Sequence, residues 1–156
     1  MRRLSGVLLA CAMFLIPAFS HGHGDLFAQG AAPTKTTFTG DVVVMAYAIN
    51  PDKTADYEKV ITTLKDTLSK SEAPEAKQQL AGWKVIKNAM PNPDGSIVYI
   101  HIITPVVKDA DYSIMNNIYA GVKDPAEQKT IFELYRGAMK QALFVIQGPL
   151  VADLAK

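Results

Sequence analysis

The sequence predicts one small α+β domain behind an export signal, and three observations predict it. Two β-branched apolar runs, DVVVMAYAI from Asp41 to Ile49 and SIVYIHIIT from Ser96 to Thr104, have the length and composition of strands. A third run, GWKVIKNA from Gly82 to Ala89, is joined to the second of these by Pro91-Asn92-Pro93-Asp94-Gly95, a strong turn. Elsewhere, apolar residues recur at helical spacing. The expected order is β-α-β-β-α, with an antiparallel sheet of three strands, or four, and helices on one face.

Residues 1–20 read as a signal peptide. Arg2 and Arg3 give the charged start, an uncharged and mostly apolar run extends from Leu4 to Phe19, and Ala18 and Ser20 are small residues where a signal peptidase reads them. Cleavage before His21 is expected, with Ala28-Gln29-Gly30 as a second site. The run is short for a membrane span and Pro17 interrupts it, so the mature chain is expected to have no transmembrane segment. Leu8-Leu9-Ala10-Cys11 resembles a lipoprotein box, which would acylate Cys11 and anchor the chain. Against it, the apolar run continues beyond Cys11. The expected location is therefore periplasmic or extracellular. Cys11 is the only cysteine, so a chain cleaved after Ser20 has no disulfide and no thiolate metal site.

Residues 21–40 are small, polar and glycine-rich and read as a flexible linker to a single domain over 41–156. After the first strand, Asn50-Pro51-Asp52 is turn chemistry. Lys53 to Lys70 reads as a helix with Tyr57, Val60, Ile61, Leu64 and Leu68 on one stripe, and Pro74 to Leu80 adds a short helical turn. Pro105 ends the strand that begins at Ser96. Asp109 to Ala120 reads as a short helix, and Asp124-Pro125-Ala126-Glu127 as a capping box. Ile131, Phe132, Tyr135, Met139, Leu143 and Ile146 then recur at helical spacing, so one long helix is expected from Pro125 to about Gln147. Leu143 to Ile146 could instead be a fourth strand, but no glycine or proline stands immediately before it.

The strand faces can be read separately. Ile97, Tyr99, His101 and Ile103 share one face, opposite Val98, Ile100 and Ile102. Val43, Met45, Tyr47 and Ile49 oppose Val42, Val44, Ala46 and Ala48. Neither face is polar, so both want cover: helices on one side and a second copy of the chain on the other.

The segments DVVVMAYAINPDKTADYEKVITTL and AGWKVIKNAMPNPDGSIVYIHIITPV, in this order, resemble the ferredoxin-like dimeric α/β-barrel superfamily, which includes the antibiotic-biosynthesis monooxygenase-like and stress-responsive A/B-barrel domains. The resemblance is one of topology and covers about residues 41–147. It implies a homodimer. It does not choose a function, since such domains include cofactor-free oxygenases, haem-degrading enzymes and proteins with no known activity.

The chemistry-bearing residues are few. Basic and acidic residues number 16 and 15, a balance that gives no footprint for nucleic acid or an anionic membrane. His101 is the only histidine beyond the linker. With Tyr99 and Tyr47 it could line a small-molecule site as a proton-transfer or ligand-binding group; the plainer reading is a satisfied buried histidine. Asp109, Asp111 and Asp124 sit near helix starts, where capping explains them. Trp83, Tyr112, Tyr119 and Tyr135 could stack on a ligand; the plainer reading is core aromatics. If cleavage falls after Ser20, the terminus His21-Gly22-His23 offers a free amine, two amides and an imidazole, a square-planar set suited to Cu(II) or Ni(II). The plainer reading is a leader with two histidines. No other cofactor is expected. The chain reads as an exported small-ligand-binding or interaction domain, homodimeric, of unknown specificity. The alternatives are a cofactor-free or haem-dependent enzyme of the dimeric-barrel type and a structural exported module.

Overall fold

The computed structural model describes residues 34–154. The expected signal peptide, the lipoprotein box at Cys11 and the His21/His23 site lie outside the described residues.

The first strand, β1 (Val42–Ile49), runs into a 3-10 turn at Pro51–Lys53 and then α1 (Thr54–Lys70). Then follow α2 (Pro74–Gly82), β2 (Trp83–Lys87), β3 (Ile97–Ile103), α3 (Ile114–Gly121), α4 (Pro125–Ala138) and β4 (Met139–Gly148). The four strands form one antiparallel sheet in the order β2-β3-β1-β4. The fold is α+β, and its β-α-β-β-α-β order with this strand sequence is ferredoxin-like.

The long helix expected from Pro125 to Gln147 is corrected here. It stops at Ala138, and the chain passes directly into β4, which pairs with β1 from Met139 to Gly148. The carbonyl of Ala138 accepts from the Asn50 amide, and the carbonyl of Gly137 accepts from the Asn50 side chain at 3.1 Å. The orphan carbonyls of the helix end are thus taken up by the turn after β1, which fixes where helix gives way to strand. The helix expected from Asp109 begins at Ile114, because Ser113 is the cap and accepts from the Asn116 amide. Asp124 caps α4 by accepting from the Ala126 amide.

Part of the segment read as a flexible linker is laid against the domain. The Thr36 amide donates to Asp111 Oδ1, the Tyr112 amide donates to the Thr36 carbonyl, and Phe38 is buried with its ring 5.6 Å from that of Tyr112. Residues 34–40 therefore form an arm. At its end Gly40 passes β4 so closely that a Cβ there would lie 2.6 Å from the Gly148 nitrogen. Since the obstacle is backbone, Gly40→Ala is expected to cost about 1–3 kcal/mol in urea unfolding.

The helices cover one face of the sheet. Tyr57, Val60, Leu64 and Leu68 of α1 are buried, as the helical stripe predicts. On the sheet, Tyr99, His101 and Ile103 of β3 are buried on the helix side, cross-strand from Tyr47, Met45 and Val43 of β1. On the opposite side lie Val44, Ile100 and Ile102, half-buried, with Ile86, Phe144 and Ile146 48%, 45% and 61% exposed.

Candidate functional site

His101 is placed by the alternation of β3, which turns it inward beneath α1. It has no solvent exposure. Both ring nitrogens are engaged: Trp83 Nε1 donates to Nδ1 at 3.0 Å, and the Tyr57 hydroxyl lies 2.8 Å from Nε2. An indole N–H can only donate, so Nδ1 must accept, and the single proton of the neutral ring sits on Nε2. Nε2 therefore donates to the Tyr57 oxygen. Burial pushes the His101 pKa down to about 4. The imidazole is neutral at ordinary pH, with no free lone pair for a metal or a proton.

Its surroundings are aromatic. Tyr47 meets the imidazole edge-on with centroids 5.3 Å apart, Trp83 lies at 5.9 Å and Tyr57 at 6.2 Å. Tyr57 in turn meets Tyr99 edge-on at 4.9 Å, and Trp83 meets Tyr112 at 5.5 Å. Such pairs add stability beyond their burial. Burial raises the phenol pKa of Tyr47 and Tyr57, and that of Tyr135 to about 12.

The three residues read from the sequence as site candidates share the helix-facing side but differ in situation. Tyr47 touches His101. Tyr99 does not join that group through its hydroxyl, which donates to Glu58 Oε1 at 2.6 Å at the edge of the domain. Lys87 donates to the same oxygen at 2.8 Å, and the two donors hold the Glu58 carboxyl below its ordinary pKa. Sequence reasoning left Tyr57 out of the site and favoured a core role for Trp83 over ligand stacking. They come from α1 and β2, and no sequence pattern announces their meeting with a histidine on β3.

A cleft of about 940 Å³ lies away from His101, lined by the ends of α1 and α3, the start of α4 and residues 109–111. Asp111, on its wall, is occupied structurally: its side chain accepts from the amides of Thr36 and Ser113 and from the Asn116 side chain. Among the described residues no helix is long and apolar enough to cross a membrane.

No protein-family model, curated protein or solved structure matches the chain.

Proposed function

We propose that this chain is an exported, non-enzymatic interaction domain that works as a homodimer, two copies meeting through the sheet face opposite the helices. The observation that carries the reading is the uncovered apolar face. From β2 to β4 it presents Ile86, Ile100, Ile102, Val44, Phe144 and Ile146, with the exposed Lys84 at the β2 edge across from Ile102. With strands about 4.8 Å apart and about 3.3 Å per residue, that face spans roughly 20 by 20 Å. Continuous apolar area of this extent marks an interaction surface. A second copy presents the same strip and completes a closed pair. The resemblance to dimeric α/β-barrel domains supports the same arrangement. The engaged nitrogens and neutral charge of His101 favour this reading over an enzyme built on that histidine.

Sedimentation at tens of micromolar is expected to give a dimer. Phe144→Asp, at a half-exposed position, is expected to give a folded monomer with an unchanged far-UV spectrum. A wild-type monomer, or a dimer that Phe144→Asp leaves intact, would overturn the proposal.

A further inference from the structure

The cleft at the ends of α1 and α3 contains two side-chain carbonyls with nothing to accept. Gln79 of α2 donates through Nε2 to the Asp111 carbonyl oxygen at 2.8 Å. Asn117 of α3 donates through Nδ2 to the same oxygen at 2.6 Å and to the Ser113 carbonyl at 2.9 Å. A backbone carbonyl only accepts, so both amides must turn their nitrogens toward it. Their oxygens, Gln79 Oε1 and Asn117 Oδ1, are the opposite ends, and neither has a hydrogen-bond donor among the described residues. Gln79 is only 2% exposed. Yet no buried side-chain oxygen or nitrogen among the described residues is sealed off without a partner. The small surface that Gln79 keeps therefore includes Oε1, and both amide residues line the cleft. An acceptor so nearly buried gains most from a donor that enters the cleft.

Charge around these carbonyls has one dominant sign. Asp66, Glu72, Glu75, Asp109, Asp111 and Glu127 line the cleft, against Lys35, Lys70 and Lys123. Asp111 is spent on the arm and on the start of α3, and Lys123 donates to the Ala120 carbonyl. The side chains of the other five acids have no hydrogen-bond or ion-pair partner among the described residues.

This chemistry restricts what the cleft can hold. An anion would meet a surplus of like charge. A metal ion needs converging ligands, and among the described residues no three acidic or histidine side chains come together to hold one. The acids are instead spread over α1, α2, α4 and the loop before α3. Separated positive charges suit that spread, and N–H groups on them can also donate to the two amide oxygens. At about 940 Å³ the cleft has room for such a chain. We propose that it binds a linear alkyl polyamine, whose ammonium groups donate to Gln79 Oε1 and Asn117 Oδ1 while the surrounding carboxylates balance its charge. The inference goes beyond the homodimer reading: no residue of the proposed dimer face lines the cleft, so either can fail alone.

Three probes of one chain length separate charge from donation. They are 1,6-diaminohexane, hexamethonium, which carries the same charges without N–H groups, and 1,6-hexanediol, which is neutral. Each is titrated into the exported protein at about pH 7 and low salt and followed by amide chemical shifts. The diamine is expected to bind at least about tenfold more tightly than either of the others, with shifts centred on Gln79, Asp111 and Asn117 and an affinity that falls as salt is raised. Gln79→Met, which keeps the length of the side chain, is expected to weaken the diamine roughly tenfold and leave hexamethonium unchanged. Glu72→Gln with Glu75→Gln, both at exposed positions, is expected to weaken both cations at least about threefold with an unchanged far-UV spectrum. If Gln79→Met does not fold, the wild-type preference for the diamine over hexamethonium and the paired glutamate variant decide the matter. No binding of the diamine, equal binding of diamine and hexamethonium, tightest binding by hexanediol, or undiminished diamine binding by folded Gln79→Met or by the paired glutamate variant would overturn the site.

Discussion

Acidification from about pH 6.5 to about pH 4 is expected to remove on the order of 3 kcal/mol from the stability of the folded domain. The cause is His101, whose pKa falls from the ordinary 6.5 to about 4 on burial. Between those values the unfolded chain binds a proton that the folded chain refuses. Stability is therefore fully present above about pH 6.5, declines as pH falls, and levels off below about pH 4 as far as this residue is concerned. Glu58 and Asp94, whose carboxyls are held below their ordinary values by lysine partners and hydrogen bonds, contribute only at the lower end of that range and beneath it. Urea unfolding at half-unit pH intervals checks the expectation. His101→Leu should be less stable than wild type at pH 7 and should lose the slope between pH 6.5 and pH 4. A flat wild-type profile across that interval would show that the imidazole is not held neutral.

Trp83→Phe is expected to cost about 2–4 kcal/mol at pH 7, from lost ring volume and an unpaired acceptor at His101 Nδ1. It should also free Nδ1 to take a proton and so move the acid-sensitive range upward. The double variant Trp83→Phe, His101→Leu separates the two contributions, because no orphaned imidazole nitrogen remains. Its stability should exceed the sum of the single losses by about 1–2 kcal/mol in a double-mutant cycle. Additive losses would mean that the indole acts only as packing.

The inward set of β3 was legible because its alternation is unbroken: Tyr99, His101 and Ile103 were expected on one face and are buried together. β4 was not legible in the same way. Its pairing with β1 shifts register twice, between Ala46 and Tyr47 and between Ala48 and Ile49, so Leu143 and Lys140 are extra residues and strict alternation fails. Ile131, Tyr135, Met139 and Leu143 meanwhile stand four apart, which mimics a continuing helix across the junction at Ala138. The aromatic group around His101 was half legible. Tyr47 could be placed from strand parity, but Tyr57 and Trp83 meet His101 only through the packing of α1 and the register of β2 against β3. Those are long-range facts that local periodicity does not carry.

The strand order places the first strand of the domain in the interior of the sheet, between β3 and β4. During synthesis, β1 can therefore gain β3 as soon as residue 103 is available, but its other edge stays open until residues 139–148 follow. A nascent chain lacking those residues would carry an unpaired, β-branched edge of the kind that recruits other chains. The sheet is closed only by the last of the described strands.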